Sequence, residues 1–93
     1  MKYSERVKKA STIVKAIYGL SDDQSISIVY NGETYKVKAY KDYKDRISYS
    51  VWNGFNGMNV NKVGRTSLTL YSYDMMRQRT TYRLDLTKCS MES

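Results

Sequence analysis

No histidine and no proline occur among the 93 residues, and cysteine, tryptophan and phenylalanine occur once each. Without histidine, the usual general base near neutral pH and the commonest metal ligand are both missing. A lone Cys89 excludes an intrachain disulfide and leaves no thiolate set for zinc. Two acidic pairs, Asp22-Asp23 and Asp42/Asp45, stand in connectors, where carboxylates ordinarily serve turns and caps. Hydrolytic chemistry would need an atypical lysine, tyrosine or carboxylate mechanism. The sequence therefore reads as a binding protein and not an enzyme, with no cofactor and no metal. Long apolar runs are lacking too. The segment MKYSERVKKASTIVKAIYG alternates charged and apolar residues, unlike a secretory leader, and no run approaches membrane-spanning length. The expectation is a cytoplasmic protein with no membrane partner.

Acidic residues are scarce: nine Asp and Glu face sixteen Lys and Arg, for a net charge of +7. Such a balance attracts polyanions, nucleic acid above all, and says nothing about fold. What is abundant points to a folded chain. Hydrophobic residues make up 41% and aromatics 13%, with ten tyrosines. A disordered chain has no core for such residues to fill. The length suits one domain, 1–93, near the lower limit of what a single core stabilises.

Residues 4–18 have helical spacing: Val7, Ala10, Val14, Ile17 and Tyr18 recur on one stripe, widened by Ile13. Ser4 is expected to cap this helix, with Glu5 in its first turn and a left-handed Gly19 at its end. After the polar connector 21–25 the period changes to two. Segments 25–30 and 33–41 flank Asn31-Gly32, the strongest short hairpin signal. If these two form the turn, Ile28 lies opposite Tyr35 and Ile26 opposite Val37. Ile26, Ile28, Tyr30, Tyr35, Val37 and Ala39 then share one face, which a register slipped by one would not allow.

Further strands are expected over 46–53, 66–74 and 79–86, separated by the turns 41–45 and 75–78. The Gly- and Asn-rich segment 54–64 reads as a long loop or irregular extended piece, with Phe55, Met58 and Val60 closing one end of the core. The tail from about residue 87 is expected to fray. These elements define an α+β domain: one N-terminal helix packed on a twisted antiparallel sheet of four or five strands, a meander by default.

That arrangement sends Lys36, Lys38, Tyr40, Arg46, Trp52, Tyr71, Tyr73 and Arg83 to the face away from the helix, together with Arg79. Lys62 and Arg65 are expected to extend the basic surface. A solvated sheet face ordinarily mixes Thr, Ser, Glu and Lys. Here Asp85 is the only acid within the strands on that face. Cations interleaved with flat rings suit RNA or single-stranded DNA. Lys36, Lys38, Arg46 and Arg83 would neutralise phosphates, and Tyr40, Trp52, Tyr71 and Tyr73 would stack on bases. Two plainer readings compete. The face could pack against another protein, since Tyr, Trp and Arg also dominate interface hot spots, or it could be an undistinguished basic surface.

No established motif narrows the choice. Gly54-Phe55-Asn56-Gly57 has the spacing of the backbone-clamping loop of KH domains, but that loop joins two helices and this segment follows a strand. The RNA-recognition consensus is absent, and no Gly-Lys-Ser/Thr run leads into a helix as a P-loop requires. In overall habit the whole chain resembles the small early accessory proteins of tailed phages: compact, free of histidine and proline, and rich in tyrosine, lysine and asparagine. The resemblance implies action by binding, as an inhibitor of host nucleases, toxins or defence systems. A basic face would then suit an antagonist of an RNA-handling host factor such as a toxin ribonuclease. The alternative it leaves open is direct binding to an acidic patch of a host defence protein. Finally, residues 79–86 have one sequence neighbour in the meander, so they form the expected edge of a homodimer. Tyr82, Leu84 and Leu86 would continue the core across its axis.

Overall fold

Asn31 and Gly32 both hold positive φ, 55° and 80°, as a two-residue type I′ hairpin requires. The turn pairs Tyr30 with Glu33 and sets Ile28 opposite Tyr35 and Ile26 opposite Val37, the register expected from the alternation. The computed structural model describes residues 2–92. Helix α1 (Tyr3–Tyr18) is followed by β1 (Ser25–Tyr30), β2 (Glu33–Lys41), β3 (Ile47–Asn53), β4 (Asn56–Val63), β5 (Ser67–Tyr73) and β6 (Arg79–Asp85). A 3-10 helix (Leu86–Lys88) then leads into β7 (Cys89–Glu92). All neighbouring strands pair antiparallel in the order β6-β5-β4-β3-β2-β1-β7, and the sheet curls into a half-barrel. The fold class stands as expected, but the sheet has seven strands where four or five were expected.

The two extra strands have physical explanations. Segment 54–64 is no loop: Gly54, with φ 63°, opens a two-residue turn between Asn53 and Asn56, and β4 follows. Its Asn and Gly residues disfavour strands locally, and an irregularity between Val60 and Lys62 interrupts its alternation. Pairing on both sides overrides these preferences. Met58 and Val60 pack against the core as expected, whereas Phe55 sits at the hairpin tip, fully exposed at 101%. Likewise the segment expected to fray carries the 3-10 helix and β7, which returns to pair with β1. Asp85 starts this return, its carboxylate accepting from the N–H of Thr87 at 3.0 Å.

Ala10, Ile13 and Ile17 of α1 are buried with Ile28, Val37, Val51, Leu68, Leu70, Leu84, Leu86 and Cys89 in one cluster. Each large aliphatic side chain withdrawn this way contributes roughly 1.5–3 kcal/mol. The helix packs chiefly on the 3-10 helix and β7, at one end of the concave face. Tyr18 reaches the other side, its hydroxyl donating to the Val63 carbonyl at 3.3 Å. Both helix ends depart from expectation. Lys2, not Ser4, occupies the N-cap position, and no side chain caps it; Gly19 stays right-handed at φ −80°. Among the described residues no helix is long and apolar enough to cross a membrane.

Two three-residue turns share one construction. Asp42 and Asp74 each open a turn in which the carboxylate accepts two backbone N–H bonds, from Lys44 and Arg46 and from Met76 and Gln78. The last loop residue of each, Asp45 or Arg77, takes a left-handed φ near 60°.

Candidate nucleic-acid interface

The convex face of the sheet, away from α1, is organised around Trp52. On β3 this residue lies between Lys36 of β2 and Gly57 of β4. Its six-membered ring covers Gly57 so closely that a Cβ there would stand 2.6 Å from the ring. Its indole Nε1–H donates to Ser50 Oγ at 3.0 Å, which fixes the ring's orientation. Glycine on β4 is thus the condition for laying the indole flat against the sheet, and the side chain still leaves 41% of its surface to solvent. A shallow groove of about 600 Å³ runs past it, lined by Lys36, Lys38, Tyr40, Ser50, Trp52, Gly54 and Asn59.

A second cluster occupies β5 and β6. Tyr71 and Tyr73 meet edge to face at 5.8 Å, and the Arg79 guanidinium lies 4.3 Å above the Tyr71 ring. Asn59 connects the two clusters, pairing with Ser50 on one side and Tyr71 on the other. Next to it, Lys62 of β4 and Arg83 of β6 both stand opposite Thr69 of β5. Five strands, β2 to β6, therefore bring Lys36, Lys38, Tyr40, Trp52, Lys62, Tyr71, Tyr73, Arg79 and Arg83 onto one continuous surface, with β5 between Lys62 and Arg83.

The remaining expected residues are placed differently. Arg46 precedes β3, in the turn, where its Nε lies 3.6 Å from Asp42. The Arg46 N–H, then that of Lys44, holds the Asp42 carboxyl below its ordinary pKa, so this carboxylate remains charged beside the guanidinium. Arg65 lies in the β4–β5 connection and lines a hollow against Tyr3, Val7 and Val14 of α1, apart from the convex face. Lys38 belongs to the groove but is paired with Asp23 at 3.0 Å. Among the described residues of this face, Lys36, Lys62 and Arg83 enter no ion pair and are open to an anionic ligand, while Arg79, also without an ion pair, is stacked on Tyr71.

Three contributors were not anticipated: Ser50, Gly57 and Asn59. Ser50 was already on the correct face in the alternation, but only the tertiary contact to Trp52 reveals its role. Gly57 and Asn59 belong to the segment that reads locally as a loop, so their pairing partners were not legible. No protein-family model, no curated protein and no solved structure matches this chain.

Proposed function

We propose that this protein is a non-enzymatic binder of single-stranded nucleic acid, RNA or DNA, on the convex face of its sheet. The observation that carries the reading is Trp52. An indole immobilised flat on Gly57, tied to Ser50 and bordered by Lys36 offers a base an oriented stacking surface. Stacking of this kind is worth roughly 1–3 kcal/mol per base. Lys36, Lys62 and Arg83 supply phosphate contacts around it, and Tyr40, Tyr71 and Tyr73 supply further rings. On the resemblance to phage accessory proteins we extend the proposal to antagonism of an RNA-handling host factor, such as a toxin ribonuclease.

Fluorescence anisotropy with a mixed-sequence oligonucleotide tests the binding. Affinity is expected to fall with added salt, with a log–log slope of about −2 if three phosphates are neutralised on a single strand. The single tryptophan gives a second signal, since stacking on Trp52 should quench its emission. Absence of binding even at low salt defeats the proposal.

A second reading has its own support. Phe55, Met75 and Met76, at two hairpin tips of the same sheet end, are exposed at 101%, 100% and 81%. Apolar tips beside Arg77 suit direct docking to an acidic patch of a host protein. A pull-down with and without nuclease separates the readings. A partner retained after nucleic acid is removed, and lost when Phe55, Met75 and Met76 are changed to serine, supports direct contact.

A further inference from the structure

Strand β6 is one open edge of the sheet, and its hydrogen-bonding pattern can be worked out from its two ends. At the turn, the Asp74 N–H donates to the Gln78 carbonyl; beyond the far end, the Leu86 N–H donates to the Thr66 carbonyl. Between them, seven consecutive residue pairs run without a register shift. Hydrogen-bonded and non-hydrogen-bonded pairs alternate in an antiparallel ladder. The even-numbered residues of β6 therefore bond to β5, and the N–H and C=O groups of residues 79, 81 and 83 point outward, unpaired. Neither a proline nor a bulge blunts this edge, and the charges it carries, Arg79, Arg83 and Asp85, restrict which partner register is allowed.

We infer that β6 pairs antiparallel with β6 of a second copy about a two-fold axis at Tyr82. Charge and strand length together select this register: it pairs all of residues 79–85, whereas an axis at Leu84 would set Arg83 against Asp85 but engage only residues 83–85 of the strand. With Tyr82 opposite its own copy, Arg79 stands opposite Asp85 of the other chain, twice, on the convex face. Thr81 stands opposite Arg83, and their outward backbone groups complete the ladder. A two-fold axis at Thr81 would set Arg79 against Arg83, and one at Arg83 would set two guanidiniums face to face. Like charges directly opposite are destabilising, whereas opposite charges stabilise. Centring at Thr80 would instead leave Asp85 without a facing cation.

On the concave side, Tyr82 is 47% exposed and would meet its twin in a non-hydrogen-bonded pair, where side chains approach most closely. Leu84 and Leu86, expected from sequence to share that seam, are already buried within the chain at 6% and 0%. Tyr82 alone carries the apolar contact.

The pairing joins two convex faces into one surface, with the two Arg83 side chains beside the axis. It does not depend on the nucleic-acid reading. A chain that binds oligonucleotide as a monomer would leave that reading standing, and a dimer that binds none would leave this one standing.

Cross-linking of nuclease-treated protein tests the register. Opposed residues in such a pair lie about 4.5 Å apart at Cα, within disulfide reach. Under mild oxidation Tyr82→Cys should form a covalent dimer, while Thr81→Cys and Thr80→Cys should not. The native Cys89, 2% exposed, is shielded from this chemistry. In light scattering, the unmodified chain should show a dimer mass in the micromolar range, and Arg79→Glu should weaken association at least about tenfold by facing Asp85 with a like charge. Faster cross-linking of Thr81→Cys overturns the register. A monomer mass throughout the micromolar range overturns the dimer.

Discussion

Trp52 and Gly57 pack as a pair on the convex face, and under the proposed function each tests the other. Trp52→Ala removes the stacking surface and should weaken oligonucleotide binding by about 1–3 kcal/mol with the salt dependence nearly unchanged. Gly57→Ala keeps the indole but puts a methyl group 2.6 Å from its ring, so the ring must leave its seat. Binding should fall several-fold in that variant while the emission maximum moves, with a circular dichroism melt showing the chain still folded at the assay temperature. At Cys89, burial pushes the thiol from 9.0 up to about 11. The unfolded chain then ionises first. The stabilising contribution is intact below pH 9 and is lost as pH rises through 11, by roughly 3 kcal/mol in full. Urea unfolding should show the advantage of the native chain over Cys89→Ala shrinking across that interval and constant below it.

At the level of elements, legibility followed the strength of local signals. Strands β1 and β2 were readable to the residue because Asn31-Gly32 determines a turn and the alternation on both sides agrees with it. The core positions of β3, β5 and β6 were readable from period alone, and with them the placement of Lys36, Lys38, Trp52, Tyr71, Tyr73 and Arg83 on one face. Strand β4 was hidden because its backbone is held by neighbours on both sides despite Asn and Gly residues that locally favour turns. Strand β7 was hidden by its brevity: of its four residues only Cys89 and Met91 share the inward face with their partners Tyr30 and Ile28. Ion pairing is also invisible in the sequence: Arg46, expected on the open face, stands in the turn before β3 beside Asp42. That turn makes its own prediction. The Asp42 carboxyl titrates below its ordinary value, so its contribution is present at neutral pH and is lost as pH falls through the depressed pKa. Asp42→Asn should flatten the acid limb of a stability–pH curve. Asp74→Asn serves as the comparison, being the same turn with no ion pair among the described residues.

Across the whole molecule, the two faces of the sheet have separate tasks. The concave face holds the buried cluster, and the convex face carries the exposed cations and rings. Substitutions at Lys36, Lys62 or Arg83 are therefore expected to change ligand affinity with little effect on unfolding, while Leu68→Ala should cost about 2–5 kcal/mol of stability. Circular dichroism melts beside anisotropy titrations would separate the two classes of variant.

The return of β7 to β1 has a kinetic consequence. Every other ladder in the sheet joins strands adjacent in the chain and can form by local closure, but β1 and β7 are separated by the whole of β2 to β6. Closing so long a segment costs entropy that is recovered only when its contacts form, so such pairings tend to come late in folding. In stopped-flow experiments Cys89→Ala should chiefly accelerate unfolding, whereas Val37→Ala, within the first hairpin, should slow folding. Since α1 packs chiefly on the 3-10 helix and β7, this helix, which precedes every strand in sequence, would be among the last elements to find its place.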